Sequence, residues 1–231
     1  MEPAGRAHAF VTDIDVPRLD DDDHHHLARV LRLRDGDELT VADGQGRWRR
    51  CRFGRDLEPC GPVEIDDTPT PRITIGFALV KGDRPELVVQ KLTEIGVDVI
   101  VPFVAARSVV QWDDDKAAKQ QQRLSIVARE AAMQSRRSWL PVVERLTTFE
   151  GVADRPGIAR ADRGGSAPTL GTPTLLIGPE GGWDDDERAR VVTSIGLGPT
   201  VLRAETAAIV AATTLCGLRS SLFDPARGYG G

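Results

Sequence analysis

Two short stretches of this chain carry the residue types that could hold a ligand: IGPEGG at 177–182 and LRAETA at 202–207. Each links an apolar run to the start of a helical pattern, and in an open parallel sheet ligands sit at such strand-to-helix junctions. Gly178, Gly181 and Gly182 would let main-chain amides and carbonyls approach a ligand closely, while Pro179 stiffens the turn. That favours a ligand read by backbone; a tight turn feeding a helix would use the same residues, and on this loop alone both readings stand. GxxxxGK[ST] and GxGxxG are both absent, and the loop carries Glu180 but no lysine, which argues against a nucleoside triphosphate or an ordinary Rossmann dinucleotide. The run His24-His25-His26 does not read as a metal site. Neighbours on a helix point roughly 100° apart, and no cysteine or suitably spaced histidine joins them. Gln134 and Arg137, three positions apart, would share a helix face.

Elements able to position these residues follow from patterning. Asp20 to Asp23 precede a helical run with Leu27, Val30 and Leu31 at helical spacing, and DGDELTVADGQGRWRRCRF (35–53) alternates around a turn as a β-hairpin does. The first 70 residues therefore predict a small β-rich barrel with a helix, and DDTPTPR (66–72) predicts a linker. Strands and helices then alternate. Strand 73–80 leads to a helix with Val88, Leu92 and Ile95 on one face, started by an Asp83/Glu86 capping box and ended by Gly96. Strand 97–104 precedes a helix over 116–137, with Leu124, Val127, Ala128 and Ala131 inward. Strand 172–178 precedes a helix capped by Asp184 and Glu187 and ended by Gly196. A short strand at 199–203 precedes the closing helix, and 155–171 reads as an irregular loop around one short strand. The expectation is an α/β domain over 71–231, its mostly parallel sheet covered on both faces.

Composition sets the broad class. Hydrophobic content of 40% beside 28% charged residues is ordinary for a soluble globular protein, and no apolar run approaches the roughly 20 residues of a membrane span. The first residues lack a basic segment followed by an apolar core, and three cysteines suggest neither a disulfide framework nor a zinc cluster; a cytoplasmic protein is expected. A net charge of −5 argues against non-specific coating of nucleic acid. Between His24 and Arg55, however, eight arginines face four acids, which offers either a basic binding face or a solvated sheet surface.

Six stretches together carry a resemblance. HHLARVLRLRDGD (25–37), KGDRPELVVQKLTEIGV (81–97), PFVAARSVV (102–110), REAAMQSRRSWLP (129–141), LIGPEGGW with Glu187 (176–187) and LRAETA (202–207) occur in the order found in the SPOUT methyltransferases. Within that superfamily the chain resembles the ribosomal RNA small-subunit methyltransferase E family. The resemblance implies an N-terminal PUA-like barrel, a C-terminal domain tied in a trefoil knot, and a homodimer. It also implies transfer of methyl from S-adenosylmethionine to N3 of a uridine in the decoding region of 16S ribosomal RNA. Met133 and Arg136 stand where the family commonly has Glu and Gly.

Carried onto this chain, the resemblance places the cofactor against Ile177, Gly178, Pro179, Glu180, Gly181 and Gly182, against Leu197 and Gly198, and against Leu202, Arg203, Ala204, Thr206 and Ala207. N3 of uridine must lose its hydrogen, and charge then builds on the uracil carbonyls, where an arginine could stabilise it. Arg137 and Arg203 are the first candidates and Arg107 a weaker one. Gln134 would help bracket the base, and Glu205 would accept the proton or cap its helix. For RNA contact the candidates are His25, Arg29, Arg32, Arg49, Arg50, Lys81, Arg84 and Arg107. Trp48, Trp112, Trp139 and Trp183 are too scattered for a stacking platform and are expected in the core or at a dimer contact. The rival readings are a non-catalytic RNA-binding protein and an enzyme taking another adenine nucleotide in the same loops.

Overall fold

In the computed structural model, residues 5–80, 84–110 and 112–223 are described, and they divide into two compact units. One comprises the chain up to Thr68 together with Arg129–Leu140; the other comprises Pro69–Ala128 and the chain from Pro141 onward. The sequence-based boundary near residue 70 does not include the 129–140 segment, because nothing in the local pattern shows a partner so distant along the chain. Lys81 and the expected cap Asp83 lie outside the described residues.

The first unit contains β1 (His8–Phe10), α1 (Asp21–His25), β2 (Glu38–Ala42), β3 (Arg47–Arg52), β4 (Glu58–Pro59) and β5 (Glu64–Ile65). β2 and β3 form the expected hairpin, with Thr40 opposite Arg50 and Ala42 opposite Trp48, and β1 adds in parallel to β2. Leu27, Leu39, Val41, Cys51 and Phe53 fill one side of this sheet. The Asp20 carboxylate caps α1 by accepting from the Asp23 amide at 2.7 Å. The helix then widens into a π turn, His26–Val30, closed by the Leu31 amide donating to His26 O. That widening moves the later residues off the expected apolar face: Leu27 is buried, but Val30 and Leu31 are 62% and 48% exposed.

Residues 129–140 are built into this unit by polar contacts. Arg129 pairs with Asp23 at 2.5 Å, and the Asp66 carboxylate accepts from Trp48 Nε1 and, in a short contact, from Ser138 Oγ. Met133 packs among Phe10, Trp48 and Ala132. Arg136 keeps a left-handed backbone, φ +57°, a conformation that glycine adopts without strain.

The second unit contains β6 (Thr74–Ala78), α2 (Arg84–Ile95), β7 (Val99–Val104), α3 (Asp114–Gln134), β8 (Val142–Val143), β9 (Thr147–Thr148), β10 (Ile158–Ser166), β11 (Thr174–Ile177), α4 (Asp185–Arg190), β12 (Ser194–Ile195) and α5 (Ala204–Arg219), with the last turns of α3 counted in the first unit. Its sheet has the order β12-β10-β11-β6-β7-β8, with β9 also on β7, and every pairing is parallel. Such a sheet needs cover on both faces. Ile75, Phe77, Ile100, Leu175 and Ile177 pack under α2, α3 and α5, where the run Ala207, Ala208, Ala211 and Ala212 lets α5 lie close. Val101, Phe103 and Leu176 point to the other face with Phe149, Trp183 and Val191.

Three expectations are corrected. The 155–171 segment contains β10, nine residues long and paired on both sides, rather than a loop around one short strand. α4 stops at Arg190 instead of reaching Gly196, since the β-branched run Val191-Val192-Thr193 leaves helical geometry and Ser194–Ile195 joins β10. No strand forms at 199–203; the Gly198-Pro199 pair opens a loop there, and the strand lies just before it.

Candidate functional site

A cleft opens where the loop after β11 meets the loop between β12 and α5. Ile177, Gly178, Pro179, Glu180 and Gly182 form one wall, and Leu197, Gly198, Thr200, Val201 and Leu202 form another. Ala204 and Ala207 of α5, Ala161, Asp162 and Arg163 of β10, and Trp183 complete it.

The glycine loop is held from beneath. Trp183 is buried, stacked parallel to Phe103 with centroids 6.2 Å apart, and its Nε1–H donates to Ala161 O at 2.8 Å. A Cβ on Gly178 would lie 2.8 Å from that indole, so only glycine lets the backbone pass. Gly182 has φ +71°, and its amide donates to Pro179 O at 2.8 Å, closing the turn. The expected capping box then starts α4: Asp184 Oδ1 accepts from the Glu187 amide at 2.8 Å and Glu187 Oε2 from the Asp184 amide at 3.0 Å. Glu187 is buried because its other oxygen accepts from the Ala106 amide at 2.8 Å, and Arg107 Nη1 donates to Gly181 O at 3.1 Å. The loop after β7 is therefore fastened to the glycine turn at two points.

Charge gathers at the edges. Asp162 accepts from Arg160 at 3.0 Å and from Arg188 in a short contact. At the Glu180 end, Arg84 Nη1 stands 3.9 Å from Glu180 and 3.7 Å from Glu205, ion-pair rather than hydrogen-bond distances. Glu205 Oε2 is buried and has no hydrogen-bond partner among the described residues. The helix that Glu205 opens has Arg203 as its N-cap with no side-chain cap bond. The walls thus offer main chain and small apolar side chains, with ionised groups at two edges. That suits a flat, weakly charged body carrying a charged tail.

Of the expected cofactor residues, all but Gly181, Arg203 and Thr206 line the cleft; Arg203 and Thr206 are exposed. Sequence reasoning missed Ala161, Asp162, Arg163, Trp183, Thr200 and Val201. For the first three the only signal was the brief alternation IARA inside a polar, glycine-rich stretch.

Gln134 and Arg137 belong to the first unit. Gln134 ends α3 and is exposed. Arg137 is half-buried, its amide donating to Ala132 O at 2.9 Å and its carbonyl facing His8 Nε2 at 3.0 Å. His8 Nδ1 lies 2.7 Å from Thr40 Oγ1. Burial lowers the His8 pKa from 6.5 to about 4, with Arg136 adding to the effect and the Arg137 carbonyl opposing it. The ring is therefore neutral, with Nε2–H donating to Arg137 and Nδ1 accepting from Thr40.

Among the expected RNA contacts, Arg32 and Arg50 are exposed, and His25 and Arg29 share a shallow polar surface with Asp21 and His24. Arg49 is otherwise employed, donating to Gly61 O at 2.8 Å and to Ile14 O at 3.4 Å. Arg84 and Arg107 are engaged at the cleft as described.

Comparison with known proteins agrees with this geometry. Residues 67–216 match the RNA methyltransferase domain family and residues 19–55 the RNA methyltransferase PUA domain. The ribosomal RNA small subunit methyltransferase E of Mycobacterium tuberculosis (strain CDC 1551 / Oshkosh) is 33% identical over 236 residues, covering 90% of this chain and 88% of its own. That of Bacillus subtilis (strain 168) is 31% identical over 219 residues, covering 83% and 86%. Among solved structures, a ribosomal RNA small subunit methyltransferase E from Neisseria gonorrhoeae, bound to S-adenosyl methionine, superposes with TM-score 0.78 at 26% identity over 92% of this chain and 97% of the other. A Legionella pneumophila protein in complex with the bound cofactor SAM gives TM-score 0.76 at 26% identity, over 90% and 96%.

Proposed function

The chain belongs to the ribosomal RNA small subunit methyltransferase E family, and from that premise we propose that it methylates N3 of a uridine in the decoding region of 16S ribosomal RNA, using S-adenosylmethionine. The observation that carries this reading is the glycine-walled cleft between the loops after β11 and β12, whose contacts are offered by main chain. The residues fit the cofactor: Gly182 and Gly198 leave the cleft wall without side chains, and Glu205 holds a buried acceptor oxygen with no hydrogen-bond partner among the described residues. When bound, the cofactor supplies the electrophilic methyl group on its sulfonium.

The protein's share of the work is to bind, orient and manage a proton. Ile177 to Glu180, Gly182, Leu197, Gly198, Leu202, Ala204 and Ala207 would enclose the cofactor and exclude water from the methyl group. Arg203, exposed at the start of α5, is assigned to the charge that grows on the uracil carbonyls; within the first unit, Arg137 is assigned the same task and Gln134 that of bracketing the base, as the family resemblance implies. Glu205 offers a carboxylate able to take a proton or a hydrogen bond. In the same reading, residues 1–70 are a PUA-like RNA grip presenting His25, Arg29, Arg32 and Arg50, and residues 71–231 form a trefoil-knotted domain of a cytoplasmic homodimer.

Titration calorimetry separates the rivals. Heat with S-adenosylmethionine and none with ATP is expected; the reverse would point to another adenine nucleotide, and no heat with either to a binding protein. Mass mapping of ribosomal RNA from a strain deleted for the gene tests the substrate. A decoding-region uridine that is still methylated there would overturn the assignment.

A further inference from the structure

The segment that follows α3 is irregular, yet its main chain is tied to the rest of the first unit at three points. Arg137 O accepts from His8 Nε2 at 3.0 Å, Ser138 O from the Gly46 amide at 3.1 Å, and the Leu140 amide donates to Gly44 O at 3.0 Å. Side chains add two more ties, and both end on Asp66. Ser138 Oγ donates to Asp66 Oδ2 in a short contact, and Trp139 Nε1 donates to Asp66 O at 3.4 Å. Asp66 is itself fastened to the β2–β3 hairpin, its amide donating to Gly46 O at 2.9 Å and its Oδ1 accepting from Trp48 Nε1 at 3.2 Å. The hairpin turn is shaped for the segment as well as for its own strands. Gly44 and Gly46 have φ of +77° and +94°, and a Cβ on them would lie 2.8 Å from Leu140 Cδ1 and 2.5 Å from the Trp139 ring. Apolar packing of Met133 and Leu140 already holds the segment on the sheet. Such packing is non-directional, whereas hydrogen bonds set orientation, so the polar ties fix the path of the backbone that carries Arg137.

We propose that Asp66 is a positioning residue for base recognition: through Ser138 it fixes the backbone that presents Arg137, so that the guanidinium meets the uracil already oriented. Asp66 touches neither base nor cofactor and acts only through the segment it holds. The assignment rests on the base-handling reading of Arg137, and it deepens that reading by naming what sets the geometry. A supporting residue of this kind matters because a recognition group misplaced by about 1 Å can cost on the order of 100-fold in rate. Sequence patterning marks 66–72 as a linker; its first residue becomes part of the recognition apparatus. The N-terminal unit thereby gains a task besides gripping RNA, namely holding one of the groups that read the base.

Kinetics on small ribosomal subunits from a strain deleted for the gene, with S-adenosylmethionine saturating, separate positioning from folding. Asp66→Ala and Ser138→Ala should each lower kcat by roughly 10- to 100-fold, while KM for the subunits and calorimetric affinity for S-adenosylmethionine stay within about twofold. Leu57→Ala, a truncation in the apolar core of the same unit, controls for lost stability: it should lower Tm at least as far and leave kcat unchanged. Arg137→Ala should also lower kcat, and adding Ser138→Ala to it should change kcat by less than about twofold, because the group being positioned is already gone. Losses that multiply in the double variant would overturn the positioning role. So would a fall in kcat matched by Leu57→Ala, or full activity in Asp66→Ala and Ser138→Ala. Failure of the unaltered protein to methylate these subunits would instead refute the methylation reading on which the proposal rests.

Discussion

Acid should loosen the first unit through one histidine. His8 is 5% exposed, wedged between Thr40 and the Arg137 carbonyl, and its folded-state pKa is lowered from 6.5 to about 4, chiefly by burial. In the unfolded chain the same ring protonates near 6.5. Above that pH both states are neutral and His8 contributes no pH dependence. As the pH falls from 6.5 to about 4 the unfolded state binds the extra proton, so stability declines throughout this window and levels off below it. From 6.5 to about 4, at about 1.36 kcal/mol per pH unit, the decline comes to about 3 kcal/mol. The perturbation is His8→Gln, which has no charge to gain. Urea unfolding of both proteins at several values between pH 7 and pH 4 isolates the effect, because the carboxylates they share cancel in the difference. The variant should be less stable at pH 7, where it loses the fitted ring, but the gap should close by about 3 kcal/mol towards pH 4. Parallel curves, or an imidazole resonance of His8 that titrates near 6.5 in the folded protein, would refute the reasoning.

Further outcomes follow from the site. Gly178→Ala would set a methyl 2.8 Å from the Trp183 ring; overpacking of this kind costs about 1–3 kcal/mol, to be read as a lower Tm together with weaker S-adenosylmethionine binding by calorimetry. Glu187→Gln leaves one of two amide donors, Ala106 or Asp184, facing an NH2 group, so chemical denaturation should show a loss of about 1–3 kcal/mol. Arg50→Ala should weaken RNA binding and lower the slope of log affinity against log salt by about 1, with cofactor affinity unchanged. Arg49→Ala should instead lower stability, because the Ile14 and Gly61 carbonyls lose their donor, and a pure RNA-affinity effect there would contradict the assigned contacts.

Elements whose cause is local were legible in the sequence. The Asp184/Glu187 box, the β2–β3 alternation and the apolar faces of α2 and α5 each declare themselves within a few residues. β10 did not. Only its first part has the small apolar residues that pair with β11 and β12, while Asp162 to Ser166 are charged, glycine-rich and largely exposed. That half concealed the strand, and with it three residues of the cleft wall. β12, two residues long, is too short to show any period. The Asp66 contacts with Trp48 and Ser138, and the place of 129–140 in the first unit, depend on pairings that no local pattern encodes. Glu205 shows another limit: its position suggested a proton acceptor or a cap, and only the atomic environment showed an acceptor oxygen with no donor among the described residues.

The parallel order of the second sheet also bears on when the cleft can exist during folding. β6 pairs with β11 at Thr74 and Thr174, positions 100 apart in the chain, and β12 docks on β10, beyond β11. Contacts this distant are made slowly, since the entropy of closing the loop is lost before any pairing compensates it. The glycine turn leaves the end of β11 and the facing loop leaves the end of β12, so neither wall is placed until those closures are complete. Helices can form early, but competence to bind the cofactor arrives among the last events of folding, and the ligand then acts as a seal on the finished topology.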